Sequence, residues 1–252
     1  MSRQTDKRVL ITGAGARVGR HLAIGLAKQG WDIAVHYNSS AEGAQDAVAK
    51  ITKAGGRAVT VQGDLCDAAQ LDALVRNAAK ALDGPLTALI NNASTFERDA
   101  AKDFTRDQFD FHMDVNLYAP IALSRDFAAQ TENGVIINIL DQRVMAPAPD
   151  HFTYSLSKSA LHWATATLAQ SLAPGIRVNA VAPGPTLKNA RQSAAQFQVE
   201  KASTLLGTGS PPDALLDAVS YLLSAYCVTG QTIVVDGGQH LGHFDGSDHT
   251  DE

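Results

Sequence analysis

Residues 9–19 read VLITGAGARVG, which is an apolar triplet, a glycine-containing turn and the first residues of a helical pattern. A short, wholly apolar run is typical of a strand that is buried on both faces. Small residues in the turn allow the backbone to bend sharply and leave the amides at the helix N-terminus open to a pyrophosphate. This stretch predicts the strand, turn and helix that begin a parallel α/β sheet.

The same alternation continues along the chain. Six further strand-length apolar runs occur at residues 33–35, 58–61, 86–90, 135–139, 176–181 and 232–235, with helical patterns between them. Parallel strands need such crossover helices. Residues 1–252 are therefore predicted to form a single-domain, Rossmann-type doubly wound parallel sheet of about seven strands, with helices on both faces. In the helical stretch 109–130, Pro120 is expected to kink or divide the helix.

Two segments depart from this pattern. Residues 186–210 are polar and have weak apolar periodicity, which predicts a lid over the ligand crevice of such a sheet. Residues 243–252 are polar and are expected to form a flexible tail.

The overall composition excludes several classes of function. A net charge of −5 over 252 residues disfavours nucleic acid as a partner, and no apolar run is long enough to span a membrane. The two cysteines, Cys66 and Cys227, and the histidines near the C-terminus lack the spacing of a metal site. With no signal peptide in residues 1–8, a cytoplasmic protein without a bound metal is expected.

The residues after the second predicted strand bear on the choice of cofactor. An acid there would hydrogen-bond the ribose of NAD, but this chain has no acid before Glu42 and reads His36, Tyr37, Asn38, Ser39 and Ser40. These polar groups, with the Arg17 guanidinium in the glycine turn, suit the 2′-phosphate of NADPH. NADPH is therefore the predicted cofactor. The alternative is a solvated loop that binds no ligand.

Tyr154 and Lys158 are four residues apart in a helical pattern, so their side chains share one face. A neighbouring ammonium favours the phenolate and should lower the tyrosine pKa from about 10 towards neutrality. This pair is predicted to form an acid–base site, although one such pair also arises by chance on solvated helices.

Several motifs occur together in one order: Thr12-Gly13-x₅-Gly19, Asn91-Asn92-Ala93, Asn116, Tyr154-x₃-Lys158 and Pro183-Gly184. This set resembles the classical short-chain dehydrogenases/reductases. The resemblance implies that Tyr154 donates a proton, that Lys158 lowers its pKa and holds the nicotinamide ribose, and that Asn116 supports a water relay. It also implies a homotetramer.

The resemblance and the cofactor argument together predict a set of cofactor-binding residues. Asp64 and Leu65 would lie against adenine, and Pro183-Gly184 would close over the nicotinamide. The full predicted set is Gly13, Arg17, Val18, Gly19, His36, Tyr37, Asn38, Ser39, Asp64, Leu65, Asn92, Ala93, Tyr154, Lys158, Pro183 and Gly184.

Three departures from the family pattern are informative. Asp141 occupies the position where the family usually has a serine that polarises a carbonyl, while Arg17 and Ser94 replace glycines. A carboxylate opposes the negative charge that builds on a carbonyl oxygen, so simple ketone reduction is disfavoured. With His36-Tyr37 and Phe96, these changes are similar to the NADPH-using pteridine reductases and dihydromonapterin reductases.

The predicted reaction is therefore NADPH-dependent reduction of a pterin C=N bond. A carboxylate can accept hydrogen bonds from the ring nitrogens and amino group of a pterin, and an aromatic ring can stack on its face. The predicted substrate residues are Arg17, Ser94, Phe96, Asp141 and Tyr154. Alternatively, Asp141 is a helix N-cap or a decayed site, and Phe96 is an ordinary loop aromatic.

Two other functions compete with this one. A carbonyl reductase of an oxoacyl thioester or a sugar would tolerate Asp141→Ser. A catalytically silent NADPH-binding sensor would need none of Asn116, Tyr154 and Lys158, so their joint presence argues against it.

Overall fold

The computed structural model describes residues 7–188 and 192–242. Within them, seven strands form one sheet: β1 (Arg8–Ile11), β2 (Asp32–Tyr37), β3 (Ala58–Gln62), β4 (Ala88–Asn91), β5 (Gly134–Ile139), β6 (Ile176–Pro183) and β7 (Thr232–Val235). Their order is β3-β2-β1-β4-β5-β6-β7, and every neighbouring pair is parallel. The predicted doubly wound sheet is confirmed.

Helices cover both faces of this sheet because successive strand residues point to opposite sides. The helices are α1 (Arg17–Lys28), α2 (Ala41–Lys53), α3 (Ala68–Ala81), α4 (Arg106–Met113), α5 (Ala119–Gln130), α6 (Phe152–Leu172), α7 (Ala194–Ala202) and α8 (Pro212–Ser224). Val9 and Ile11 pack in one cluster with residues of α1, α2 and α8. Leu10 packs in a second cluster with residues of α3, α5 and α6.

The stretch 109–130 is divided, as Pro120 led us to expect. Helix α4 ends at Met113, a π-helical segment spans Asp114–Tyr118, and Pro120 lies in the first turn of α5, where its missing N–H is tolerated. Short π-helical segments occur frequently at functional sites, and this one carries Asn116.

The segment 186–210 contains a helix that the sequence pattern did not predict. Helix α7 begins with a capping box between Ser193 and Gln196, and none of its residues is buried. Residues 189–191 of this segment and the predicted tail 243–252 lie outside the described residues. The lid and the tail therefore stay predictions.

The two tryptophans differ in exposure. Trp163 in α6 is 71% exposed, whereas Trp31 is partly buried and packs against the cluster formed with α1 and α2. Within the described ranges, no helix is both long and apolar enough to cross a bilayer. The same ranges contain no cluster of three or more potential metal ligands.

Candidate active site

A cavity of about 590 Å³ follows the carboxyl ends of the strands, where ligands bind in doubly wound sheets. Every predicted site residue lines it except Asn116: Gly13, Arg17, Val18, Gly19, His36, Tyr37, Asn38, Ser39, Asp64, Leu65, Asn92, Ala93, Ser94, Phe96, Asp141, Tyr154, Lys158, Pro183 and Gly184. We call residues 12–66 of this crevice, together with Asn92 and Ala93, the glycine-loop end. Residues 94–99 with 139–158 form the tyrosine end.

Backbone atoms approach one another so closely at the glycine-loop end that side chains are excluded. A Cβ atom added to Gly19 would lie 2.5 Å from the Gly13 carbonyl oxygen. Gly13 itself has a φ of +65°, and a Cβ there would lie 3.0 Å from the Ala93 Cα. The turn is therefore bare backbone that leads into the N-terminus of α1, which is the arrangement that cradles a pyrophosphate.

The His36 side chain supports this turn from below. Its Nδ1 accepts from the Gly13 N–H at 3.0 Å, and its Nε2 lies 3.0 Å from the Gly63 carbonyl oxygen, to which it donates. Burial lowers the pKa of His36 to about 4, so the ring is neutral at pH 7. Both ring nitrogens are engaged in these bonds, so His36 has no donor left for a 2′-phosphate, and its part in cofactor binding is to hold the turn. Direct contact with a 2′-phosphate would come from Tyr37, Asn38 and Ser39.

Thr12 joins the turn to the end of β4. Its Oγ1 accepts from the backbone N–H groups of Asn92 and Ala93, each at 2.9 Å. The Asn92 side-chain amide donates back to the Thr12 carbonyl at 2.8 Å. Asn92 and Ala93 therefore form a rigid wall of the crevice.

The Arg17 guanidinium connects the glycine-loop end to the segment 186–210. It donates to the carbonyl oxygens of Leu187 and Lys188, each at 2.9 Å. These bonds use two of its five N–H donors. The predicted contacts of Arg17 with a 2′-phosphate or with substrate stay predictions.

At the tyrosine end, Asp141 and Tyr154 are directly paired. The Tyr154 hydroxyl donates to Asp141 Oδ2 at 2.8 Å, while Asp141 Oδ1 accepts the Arg143 backbone N–H at 2.9 Å. Asp141 therefore caps the short 3₁₀ turn Gln142–Val144 and also faces the phenol. The N-cap alternative and a site role are compatible.

The pKa of Tyr154 differs from the sequence expectation. Burial and the adjacent Asp141 raise it well above its ordinary value, and the charge of Arg143 opposes the increase. The Lys158 Nζ lies 5.9 Å from the Tyr154 ring centroid and donates to the Ile139 carbonyl at 2.8 Å. Burial lowers the Lys158 pKa to about 8. Lys158 does not contribute to this shift, because desolvation and Asp141 dominate it, so the predicted lowering of the Tyr154 pKa towards neutrality is not observed.

Asn116 is fully buried behind the crevice and does not line it. Its Oδ1 accepts from the Ser94 hydroxyl at 3.0 Å and from the Thr95 N–H at 2.9 Å, and its Nδ2 donates to the Ser157 Oγ at 3.1 Å. It therefore ties the loop after β4 to α6. Its part in a water relay stays a prediction.

Phe96 forms an aromatic wall beside Tyr154. It stacks on His151 with ring centroids 4.0 Å apart and an interplanar angle of 8°, and it meets the Tyr154 ring edge-on at 4.6 Å. His151 has a left-handed backbone (φ +55°) and is held by its N–H bond to the Asp99 carbonyl. The Phe96 side chain is 41% exposed, and it lines the crevice.

Sequence reasoning missed the polar contacts that support the tyrosine end. Arg143 pairs with Asp150 at 2.8 Å, and His151 Nδ1 contacts the same carboxylate at 3.1 Å. Behind them, the Thr153 hydroxyl donates to Asp99 and accepts from His112 Nδ1, because His112 Nε2 accepts the Glu97 N–H. Of these residues, only Arg143 could have been noticed in the sequence, because it lies two residues after Asp141.

Comparisons with known proteins agree with this architecture. The family model described as Enoyl-(Acyl carrier protein) reductase matches residues 13–240. An uncharacterised oxidoreductase of Methylorubrum extorquens is 35% identical over 94% of this chain and 99% of its own length. Family membership is therefore shown by the sequence over almost the whole chain.

Two solved structures are similar in shape as well as sequence. FolM alternative dihydrofolate reductase 1 from Brucella suis, in complex with NADP, has a TM-score of 0.91 at 38% identity, covering 95% of this chain and 97% of that chain. The angucycline C-6 ketoreductase LanV with bound NADP has a TM-score of 0.87 at 32% identity, covering 94% and 96%. Both hold the cofactor type predicted from residues 36–40. The chain belongs to the classical short-chain dehydrogenases/reductases, a family of oxidoreductases.

Proposed function

We propose that this protein uses NADPH to reduce a C=N bond of a pterin ring. The observation that carries the proposal is the 2.8 Å hydrogen bond from Tyr154 to Asp141 inside the crevice, next to the exposed part of Phe96. NADPH is supported by the glycine-loop end, whose bare backbone fits a pyrophosphate and whose residues 36–40 contain no acid to repel a 2′-phosphate. The NADP complexes of the similar structures support it too.

The charge of Asp141 favours a C=N substrate over a C=O substrate. A carbonyl oxygen gains negative charge during reduction, which a neighbouring carboxylate destabilises. A C=N nitrogen can be protonated first, and the resulting cation is stabilised by the same carboxylate. NADPH, when bound, supplies the hydride that the C=N carbon receives.

Proton donation, hydrogen bonding and stacking would come from residues of the chain. Tyr154 holds the proton for the ring nitrogen, and Asp141 accepts a hydrogen bond from a ring N–H or amino group. The charge of Arg143 offsets part of the cost of a phenolate beside Asp141. Phe96 provides a face for stacking, and His151 keeps that ring in place.

The test is the oxidation of NADPH, followed by its absorbance, with a panel of dihydropterins, dihydrofolate and simple ketones. We expect turnover of a pterin by the wild-type protein and a loss of that turnover in Asp141→Asn, which keeps the shape and removes the charge. Turnover of ketones alone would overturn the proposal.

A carbonyl reductase is the second candidate, because LanV is a ketoreductase and has 32% identity. The two candidates differ in their response to Asp141→Ser, which restores the hydroxyl usual in the family. A carbonyl reductase keeps or gains activity in this variant, whereas a pterin reductase loses it.

A further inference from the structure

Arg143 reaches the crevice from the same short turn as Asp141. Its side chain is 17% exposed and lines the cavity, and its backbone N–H donates to Asp141 Oδ1 at 2.9 Å. The crevice wall therefore carries a carboxylate and a guanidinium two residues apart. The carboxylate can only accept hydrogen bonds, and the guanidinium can only donate them.

Asp150 fixes the guanidinium in place without using all of its donors. Arg143 Nη1 donates to Asp150 Oδ1 at 2.8 Å and to the Asp150 carbonyl at 3.0 Å, and Nη2 approaches Oδ2 at 3.5 Å. In the part of the chain that the structure describes, the Nε–H of Arg143 has no acceptor. A partly buried, oriented cation with a spare donor is suited to bind an oxygen atom of a ligand.

Both charged groups act on the same phenol. Tyr154 is buried, and burial together with Asp141 raises its pKa, while the charge of Arg143 lowers it. Asp141, Arg143 and Phe96 all line the cavity beside Tyr154, where a substrate ring would lie against Phe96.

We propose that Asp141 and Arg143 together bind the polar edge of the substrate ring, Asp141 accepting from an N–H group and Arg143 donating to a carbonyl oxygen. This inference rests on the proposed function and narrows it. A 2-amino-4-oxopteridine has an N–H group for Asp141 and a carbonyl oxygen for Arg143. In a 2,4-diaminopteridine an amino group replaces that oxygen, so two hydrogen-bond donors, the amino group and the guanidinium, would face each other. Arg143 is thus a specificity-determining residue for 4-oxo rings.

The test compares the binding of a 2-amino-4-oxopteridine and of its 2,4-diamino counterpart to the NADP-loaded protein by calorimetry. Arg143→Ala and Asp150→Ala break the same ion pair, but only the first removes the donor on the crevice wall. We expect Arg143→Ala to weaken binding of the 4-oxo ligand by about tenfold to a hundredfold and to abolish the preference for it. Asp150→Ala should keep the preference.

Thermal melting shows whether Arg143→Ala is folded. Arg143→Lys, a second variant that keeps the positive charge, should retain part of the preference for the 4-oxo ligand. Equal losses in Arg143→Ala and Asp150→Ala, for both ligands, would show a purely structural ion pair and overturn the inference while the proposed function stands. A wild-type protein that binds NADPH but neither pteridine would overturn both.

Discussion

The two ends of the crevice are held together by different kinds of contact. At the glycine-loop end, the contacts hold backbone N–H groups in place: Gly13 donates to the His36 ring and Ala14 to the His36 carbonyl, while Asn92 and Ala93 donate to the Thr12 hydroxyl. At the tyrosine end, the positions are set by pairs of side chains, such as Tyr154 with Asp141. The first end presents a fixed shape, and the second presents a set of charges.

This difference separates binding from chemistry. A backbone cradle tolerates side chains that point away from it but no added Cβ at Gly13 or Gly19, so substitutions at these two positions should change cofactor affinity. Paired side chains can be altered singly without moving the backbone, so substitutions at the tyrosine end should change turnover and substrate choice. Four substitutions test whether the two ends differ in this way.

The largest effect is expected from Tyr154→Phe. Loss of the proton donor should reduce kcat by about a hundredfold to ten-thousandfold with little change in NADPH affinity. Tyr221→Phe in α8, whose ring is 53% exposed, is the matched control and should leave both unchanged. Steady-state kinetics and NADPH fluorescence titration measure the two quantities. A parallel loss of NADPH affinity would show that the two ends are not independent.

Gly19→Ala should have the opposite profile. The new Cβ would meet the Gly13 carbonyl oxygen and the Asn92 amide nitrogen at 2.5 Å, so the turn must open. Overpacking of this kind costs about 1–3 kcal/mol, and we expect a loss of NADPH affinity of about fivefold or more. Gly63→Ala is the control, since its Cβ meets its nearest neighbour at an ordinary 3.5 Å. Unchanged NADPH titration of Gly19→Ala would contradict the cradle.

The glycine-loop end could be predicted from the sequence more fully than the tyrosine end. The turn 12–19 and the strand β1 are contiguous, so a buried apolar run and glycine spacing were sufficient to predict them. The contact of Thr153 with Asp99 joins residues 54 positions apart, and no local pattern encodes it. Helix α7 buries none of its residues and so shows no apolar face; only the Ser193–Gln196 capping box marked it.

The His36 contacts predict an acid-sensitive glycine-loop end. Burial lowers the pKa of His36 from 6.5 to about 4, so between these values the unfolded chain binds a proton that the folded chain does not. Stability should therefore fall as the pH falls through this window, by about 1.4 kcal/mol per pH unit at most. Urea unfolding of wild type and His36→Gln at pH 7.5, 6 and 5 measures this.

In His36→Gln the slope should be shallower, because the titrating group is gone. His21→Gln, in the exposed contact with Asp213, serves as the surface-histidine control. If His36→Gln and wild type lose stability in parallel, the acid sensitivity comes from other groups and the role given to His36 in holding the turn is wrong.

The smallest effect is expected from Phe96→Leu, and it tests whether the tyrosine end recognises a flat ring. Phe96 and Phe104 each contact an aromatic residue of α6 and are each 41% exposed, but of the two only Phe96 lines the crevice. Aromatic stacking contributes about 0.5–1.5 kcal/mol beyond buried area, so Phe96→Leu should raise the KM for a pterin about twofold to tenfold. Phe104→Leu should leave KM unchanged.

Because the His151 ring stacks on the Phe96 ring at 4.0 Å, His151→Ala should also raise the KM for a pterin, by a smaller factor. Equal effects of Phe96→Leu and Phe104→Leu would mean that Phe96 is an ordinary loop aromatic, and that Asp141 and its neighbours recognise the substrate by charge alone.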